Sequence, residues 1–234
     1  MSQFAQAFQF TPDALALVGK ARLAYVRKVY SYFTAGILAA IGGSILAMNS
    51  SLVFIAAQHR IILFIVYIGA FFLAQSSADK PARAVPTMIL FTFISGVVLS
   101  PLLYAIAHSL IPGTGPGVIY NALILTGTVF AGLTAYVFVT KKDFSYLGAT
   151  LTVGLFVIMG AILLNIFMHS SSLDFAISIV GTIIFAGFVL VDTSLILKRA
   201  IEIPPTSAAL KLYLDFLNLF LFILRILMGS RSRD

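Results

Sequence analysis

Apolar runs about as long as a bilayer is thick recur along this chain, parted only by short charged or turn-forming segments. A helix needs about 20 mostly apolar residues to cross the hydrocarbon core. Seven such runs can be read: 29–49, 60–78, 84–108, 118–140, 146–168, 174–197 and 208–228. The first boundary is soft, because Asn49-Ser50-Ser51 interrupts a run that resumes at Leu52–Ala57. The others are punctuated clearly, by Asp79-Lys80-Pro81, Ile111-Pro112-Gly113, Lys141-Lys142-Asp143 and Glu202-Ile203-Pro204-Pro205. Charged residues make up 10% of the chain, against about a quarter in soluble domains. The expected class is an all-α integral membrane protein, a seven-transmembrane-helix bundle. Residues 1–28 read as a polar cytoplasmic tail with little to bury, 29–228 as the membrane domain and 229–234 as a short C-terminal tail. The apolar stretch Ala14 to Val18 is too short for the core of a signal peptide.

The net charge of +7 would suggest nucleic acid in a soluble protein. Here the basic residues flank the spans, which points to topology and anionic headgroups, with the lipid bilayer as partner and no nucleic acid. Lys20, Arg22, Arg27 and Lys28 precede span one. Lys80 and Arg83, then Lys141 and Lys142, then Lys198, Arg199 and Lys211 stand in alternate connections. The opposite side has Arg60 and few others. The N-terminus is therefore expected in the cytoplasm. Seven spans put the C-terminus outside, against which Arg231 and Arg233 argue weakly. No cysteine is present, so disulfides, thiolate metal sites and a cysteine nucleophile are excluded. No resident cofactor is expected.

Two aspartates stand inside the last two runs. They are Asp192 in Phe188-Val189-Leu190-Val191-Asp192-Thr193 and Asp215 in Leu212-Tyr213-Leu214-Asp215-Phe216-Leu217-Asn218. An ionisable group within a span is costly and by default marks function. On antiparallel neighbours both lie roughly 8–10 Å from the cytoplasmic helix ends at 1.5 Å per residue. In span six, Ser178, Thr182 and Asp192 share a face about 80° wide; in span seven, Asp215, Asn218 and Arg225 do the same. A helix with such a stripe should face protein, so span seven is expected near the middle of the bundle.

Paired carboxylates titrate as a unit and hold one proton over some pH range. A shared proton can bridge the helices; once it is lost, two anions repel. Such a pair could attract Ca²⁺, but Ca²⁺ takes six to eight oxygens, so two carboxylates suit a leak and only a weak metal site. The plainer alternative pairs each aspartate with a base, Lys211 or Lys198, to hold helices together.

Small residues recur at four-residue spacing, as Gly36, Ala40 and Ser44 in span one and Gly127, Ala131 and Ala135 in span four. Both stripes read as helix packing within one chain. Pro101 should kink span three. His59, His108 and His169 fall near span ends, too scattered for a metal cluster. Asn165 and Gln75 read as interhelical hydrogen bonds, and Asp143 as a surface partner of the neighbouring lysines.

Several stretches resemble the Bax inhibitor motif family, and its bacterial YccA-like branch in particular. They are Gly132-Leu133-Thr134-Ala135-Tyr136, Thr140-Lys141-Lys142-Asp143-Phe144-Ser145-Tyr146-Leu147-Gly148, Phe188–Thr193, and Leu212–Asn218 with Leu224-Arg225-Ile226-Leu227. Ala78-Asp79-Lys80-Pro81 and Ser232-Arg233-Asp234 are similar to the YccA-like branch. The resemblance implies a seven-helix bundle with the last helix central, a pH-sensitive pair at Asp192 and Asp215, and a Ca²⁺ leak rather than an enzyme. It implies an arginine latch near the inner end of span two, where this chain offers Lys80 or Arg83 instead. It also implies a bacterial inner-membrane location and, as the alternative role, modulation of the membrane protease FtsH through the N-terminal tail. Two aspartates on spans six and seven are also the layout of an intramembrane aspartyl protease. The Gly-x-Gly-Asp and Pro-Ala-Leu stretches of that class are absent, since Leu212-Tyr213-Leu214 precedes Asp215.

Overall fold

Four of the long helices open on proline, whose missing N–H costs nothing in a first helical turn. The computed structural model describes residues 12–198 and 202–231. Among them are eight α-helices: α1 (Pro12–Met48), α2 (Leu52–Gln58), α3 (Arg60–Ser76), α4 (Pro81–Ala107), α5 (Pro116–Thr140), α6 (Gly148–Met168), α7 (Ser171–Lys198) and α8 (Pro205–Arg231). Pro12, Pro81, Pro116 and Pro205 start α1, α4, α5 and α8. A short 3₁₀ turn, Ser145–Leu147, leads into α6. Among the described residues, six helices are long and apolar enough to cross a membrane; α2 and α3, bent by 98° at His59, add up to one more.

α8 is the central helix. It packs against α1, α4, α5 and α7, and Leu212, Tyr213, Leu219, Phe220 and Leu224 are all buried along its length. A helix that carries polar and charged groups within its span belongs against protein rather than lipid. α3 lies against α4, and α6 against α7, each on the outside. Their exposed Ile61, Phe64, Phe156 and Phe167 suit a hydrocarbon solvent.

A very close backbone approach joins α1 to α4. A Cβ on Gly96 would stand 2.0 Å from the Ala40 carbonyl oxygen, and one on Gly43 2.3 Å from that of Phe93. Ser44 Oγ donates to the carbonyls of Ala40 and Gly96, both at 3.0 Å. The stripe of α1 therefore packs within the chain, as its spacing suggests. The stripe of α5 does not. Ala131 and Ala135 are exposed, and a Cβ on Gly127 would meet nothing within 4 Å. Small residues permit close approach without compelling it, and no helix is laid against that face among the described residues.

Other expectations shift as well. α1 begins at Pro12, so residues 12–28 of the segment read as a tail are helical. Residues 1–11, Arg199 and Arg233 lie outside the described residues. The run interrupted at Asn49-Ser50-Ser51 resumes as α2, which turns sharply into α3. Asn165 does not reach another span; its Oδ1 accepts the Ser170 N–H at 3.0 Å in the α6–α7 connection, while Gln75 is exposed. Asp143 keeps its expected surface role and in addition caps the 3₁₀ turn, its Oδ1 accepting the Ser145 N–H at 2.9 Å.

Candidate functional site

α7 and α8 run antiparallel, and this sets the Asp192 and Asp215 side chains beside each other, close enough to interact directly. The two are not equivalent. Asp215 is 5% exposed, and its Oδ2 has no hydrogen-bond partner. Asp192 is half-buried and opens into a small cleft lined with Leu195, Ile196, Ile203, Ala208 and Lys211. One carboxylate meets the cleft and the other is sealed behind it.

Lys211, one turn before Asp215, is the base whose charge acts on both aspartates. It is exposed at the mouth of the cleft. Lys80 and Arg83, the residues offered as a latch, are also exposed. Neither is among the groups acting on the pair. The turn that carries Lys80 is instead tied to α8 by its backbone: Thr206 Oγ1 donates to the Ala78 carbonyl at 3.2 Å.

The segment Lys142-Asp143-Phe144-Ser145 grips the same end of α7. Phe144 is buried against Val137 and Val191, and its N–H donates to Ser194 Oγ at 3.2 Å. Ser194 stands two residues from Asp192. The motif thus clamps the basic end of the helix that carries the cleft aspartate.

The supporting stripe does less. Ser178 Oγ donates to the Asp174 carbonyl, Thr182 Oγ1 to that of Ser178, and Asn218 Nδ2 to that of Leu214, each within its own helix. Such back-bonding satisfies a hydroxyl or amide without linking helices. Arg225 pairs with Asp174 at 3.4 Å, joining the far ends of α7 and α8. Sequence reasoning missed Asp174, although opposite charges at matching depth on antiparallel neighbours were there to be read. Both side chains are 40–45% exposed, and such pairs are worth about 0–1 kcal/mol. Arg225→Met should therefore lower the melting temperature by no more than about 4 °C, taking about 2–4 °C per kcal/mol for a chain of this size. A loss beyond about 10 °C in detergent would give the pair a larger role.

A second polar group has no signal in the sequence. The hydroxyls of Tyr30 on α1, Thr134 on α5 and Thr193 on α7 are neighbours, yet none reaches direct hydrogen-bonding geometry. Thr193 adjoins Asp192, so this polar layer continues from the pair around α7. Just beyond it Phe33, Phe130 and Phe216 pack ring on ring, with Phe33 and Phe130 stacked at 4.9 Å.

A sequence model for a family described as inhibitor of apoptosis-promoting Bax1 matches residues 22–233. This chain belongs to the Bax inhibitor-1 family. Among members of the family, the protein called Bax inhibitor 1 in Schizosaccharomyces pombe is 32% identical over 97% of this chain and 84% of its own length. An uncharacterized membrane protein of Vibrio cholerae is 37% identical over 82% of this chain and 84% of its own. An uncharacterized protein of Campylobacter jejuni is 39% identical, covering 89% and 90%. The Bax inhibitor-1 match spans every helix from the basic part of α1 to the end of α8.

Proposed function

We propose that this protein is a cation leak, with Ca²⁺ as the permeant ion, whose opening is set by protonation of the Asp192–Asp215 pair. The observation that carries this reading is the meeting of two carboxylates at the basic end of neighbouring helices, one sealed and one open to a cleft. With a proton between them the carboxylates bridge α7 and α8. Without it, two like charges about 4 Å apart repel by about 4 kcal/mol at an effective dielectric constant near 20. That is enough to shift a two-state equilibrium about a thousandfold. Ionisation also makes the cleft anionic, which favours a cation. Both effects act in one direction, so flux should rise with pH. Ca²⁺ release or uptake across vesicle membranes, read by an enclosed indicator between pH 6 and pH 8, tests this; a flat profile would sink it.

Two carboxylates supply few of the six to eight oxygens Ca²⁺ prefers. Weak, short-lived binding is what conduction needs. Lys211 at the cleft mouth stands against tight cation binding for the same reason. In this reading the basic end, with Lys20, Arg22, Arg27 and Lys28, faces the cytoplasm of a bacterial inner membrane, and the pair has no enzymatic role.

The length of α1 supports a second reading. Its 37 residues extend about 55 Å at 1.5 Å per residue, well beyond a hydrocarbon core of about 30 Å. The surplus is a basic helical arm that includes exposed Leu23, a means of contact with a membrane protease such as FtsH. Deleting residues 1–28 should abolish co-purification with FtsH and leave ion flux in vesicles intact. Retained co-purification would remove the arm from any such contact.

A further inference from the structure

A groove opens on the side of the bundle between α1, α4 and α5, with α8 as its floor. Its volume is about 320 Å³, within the range of small-molecule sites of about 300–1,000 Å³. The α1 wall runs from Ile37 to Met48, about 17 Å at 1.5 Å per residue. One leaflet of hydrocarbon is about 15 Å deep, half of a core of about 30 Å. The groove therefore starts at the far end of the bundle and stops near the bilayer middle. Phe216 lines it on the side toward the bilayer middle, and the rings of Phe33 and Phe130 pack against Phe216.

The lining is nearly all carbon, and its buried polar atoms are already engaged. Ser44 Oγ is held by the Ala40 and Gly96 carbonyls, and the Tyr213 hydroxyl by Ser95. A water there would lack the two to four polar partners it needs. Ile41, Ile45 and Leu123 line the mouth and are exposed, on helices that suit a membrane. What lies outside that mouth is acyl chain.

We propose that this groove holds one acyl chain of a phospholipid from the leaflet opposite the basic end. The site is independent of the ion-leak reading. Its floor nevertheless includes Tyr213 and Phe216, which bracket Asp215 in the sequence, so the chain rests on the helix that bears the sealed carboxylate.

The protein has no tryptophan, so one introduced indole reports without background. Phe220→Trp places it on the floor and Leu99→Trp on the α4 wall. Ile124→Trp, on the lipid face, and Phe185→Trp, buried outside the groove, are the two references. Each full-length variant is reconstituted in phosphatidylethanolamine–phosphatidylglycerol vesicles, with and without bromine on the acyl chains. Floor and wall tryptophans should be quenched by brominated chains to within about twofold of Ile124→Trp. Phe185→Trp should stay bright. Narrowing the mouth with Ile41→Phe and Leu123→Phe should bring the floor signal down to the Phe185→Trp level. Quenching of floor and wall by aqueous acrylamide instead would make the groove a water-filled vestibule and overturn the proposal. So would no quenching by either agent, the result for a groove packed shut or covered by a second copy. Bromine quenching that survives the narrowed mouth would overturn it too.

Discussion

Asp215→Asn should remove the pH dependence of cation flux, and Asp192→Asn should do the same. Asn is nearly the size of Asp and keeps a hydrogen bond to the remaining carboxylate, so the bundle should fold. A single remaining carboxylate has no like charge to repel, and the roughly 4 kcal/mol that separates the helix ends on ionisation is gone. Each variant should stay near the wild-type rate at pH 6 across the whole range, at least tenfold below wild type at pH 8. Asp215→Asn should be the flatter of the two, because Asp215 is the sealed member whose Oδ2 has no partner. Asp174→Asn, which alters a carboxylate at the far end of the same helix, should leave the profile intact. If both pair variants keep a wild-type profile, the pair only holds helices together and the leak, if any, is gated elsewhere.

Gly96→Ala should be the most damaging glycine-to-alanine change among the described residues. Its Cβ would fall 2.0 Å from the Ala40 carbonyl oxygen and 2.8 Å from the carbonyl carbon. Both are backbone atoms, so no side chain can swing aside and α1 must move off α4. Overpacking a tight site costs about 1–3 kcal/mol and sometimes more; contact this short belongs at the upper end. At about 2–4 °C per kcal/mol, the melting temperature should fall by roughly 6–12 °C. Gly69→Ala, where an added Cβ meets nothing within 4 Å, is the matching control and should be neutral or slightly stabilising, since Ala is the better helix former. Equal melting temperatures for the two variants would mean that α1 and α4 are farther apart than described.

Much of the architecture was legible because lipid imposes a simple code. Apolar length located the spans, and the lone polar faces of α7 and α8 brought Asp192 and Asp215 together. What escaped the code depends on local or many-body detail. The helix of residues 12–28 follows from Pro12, Asp13 and the run of alanines and leucines behind them, all favourable to a helix start. Composition alone made the same segment look like a tail. The two small-residue stripes have the same spacing, yet only the one on α1 meets a neighbour. Lys211 stands beside the aspartates because it is one turn from Asp215, whereas Lys80 and Arg83 depended on a loop path no pattern reveals. The hydroxyls of Tyr30, Thr134 and Thr193 come from three helices far apart in the chain, and nothing in their spacing announces that they meet.

The sharp bend at His59 has a consequence for where such a protein can live. If α3 stands across the bilayer, α2 at 98° to it lies close to the membrane plane. Val53 and Ala56 are buried, and Phe54 and Ile55 are exposed. This short helix is a float whose height follows the boundary between headgroup and hydrocarbon. The rest of the bundle is tied to it through α4, on which it packs. Membranes that differ by a few ångströms in thickness would place that float at different heights against one rigid scaffold, at fractions of a kcal/mol per ångström. Bilayer thickness then becomes a second input to the bundle, acting from the end opposite the aspartates.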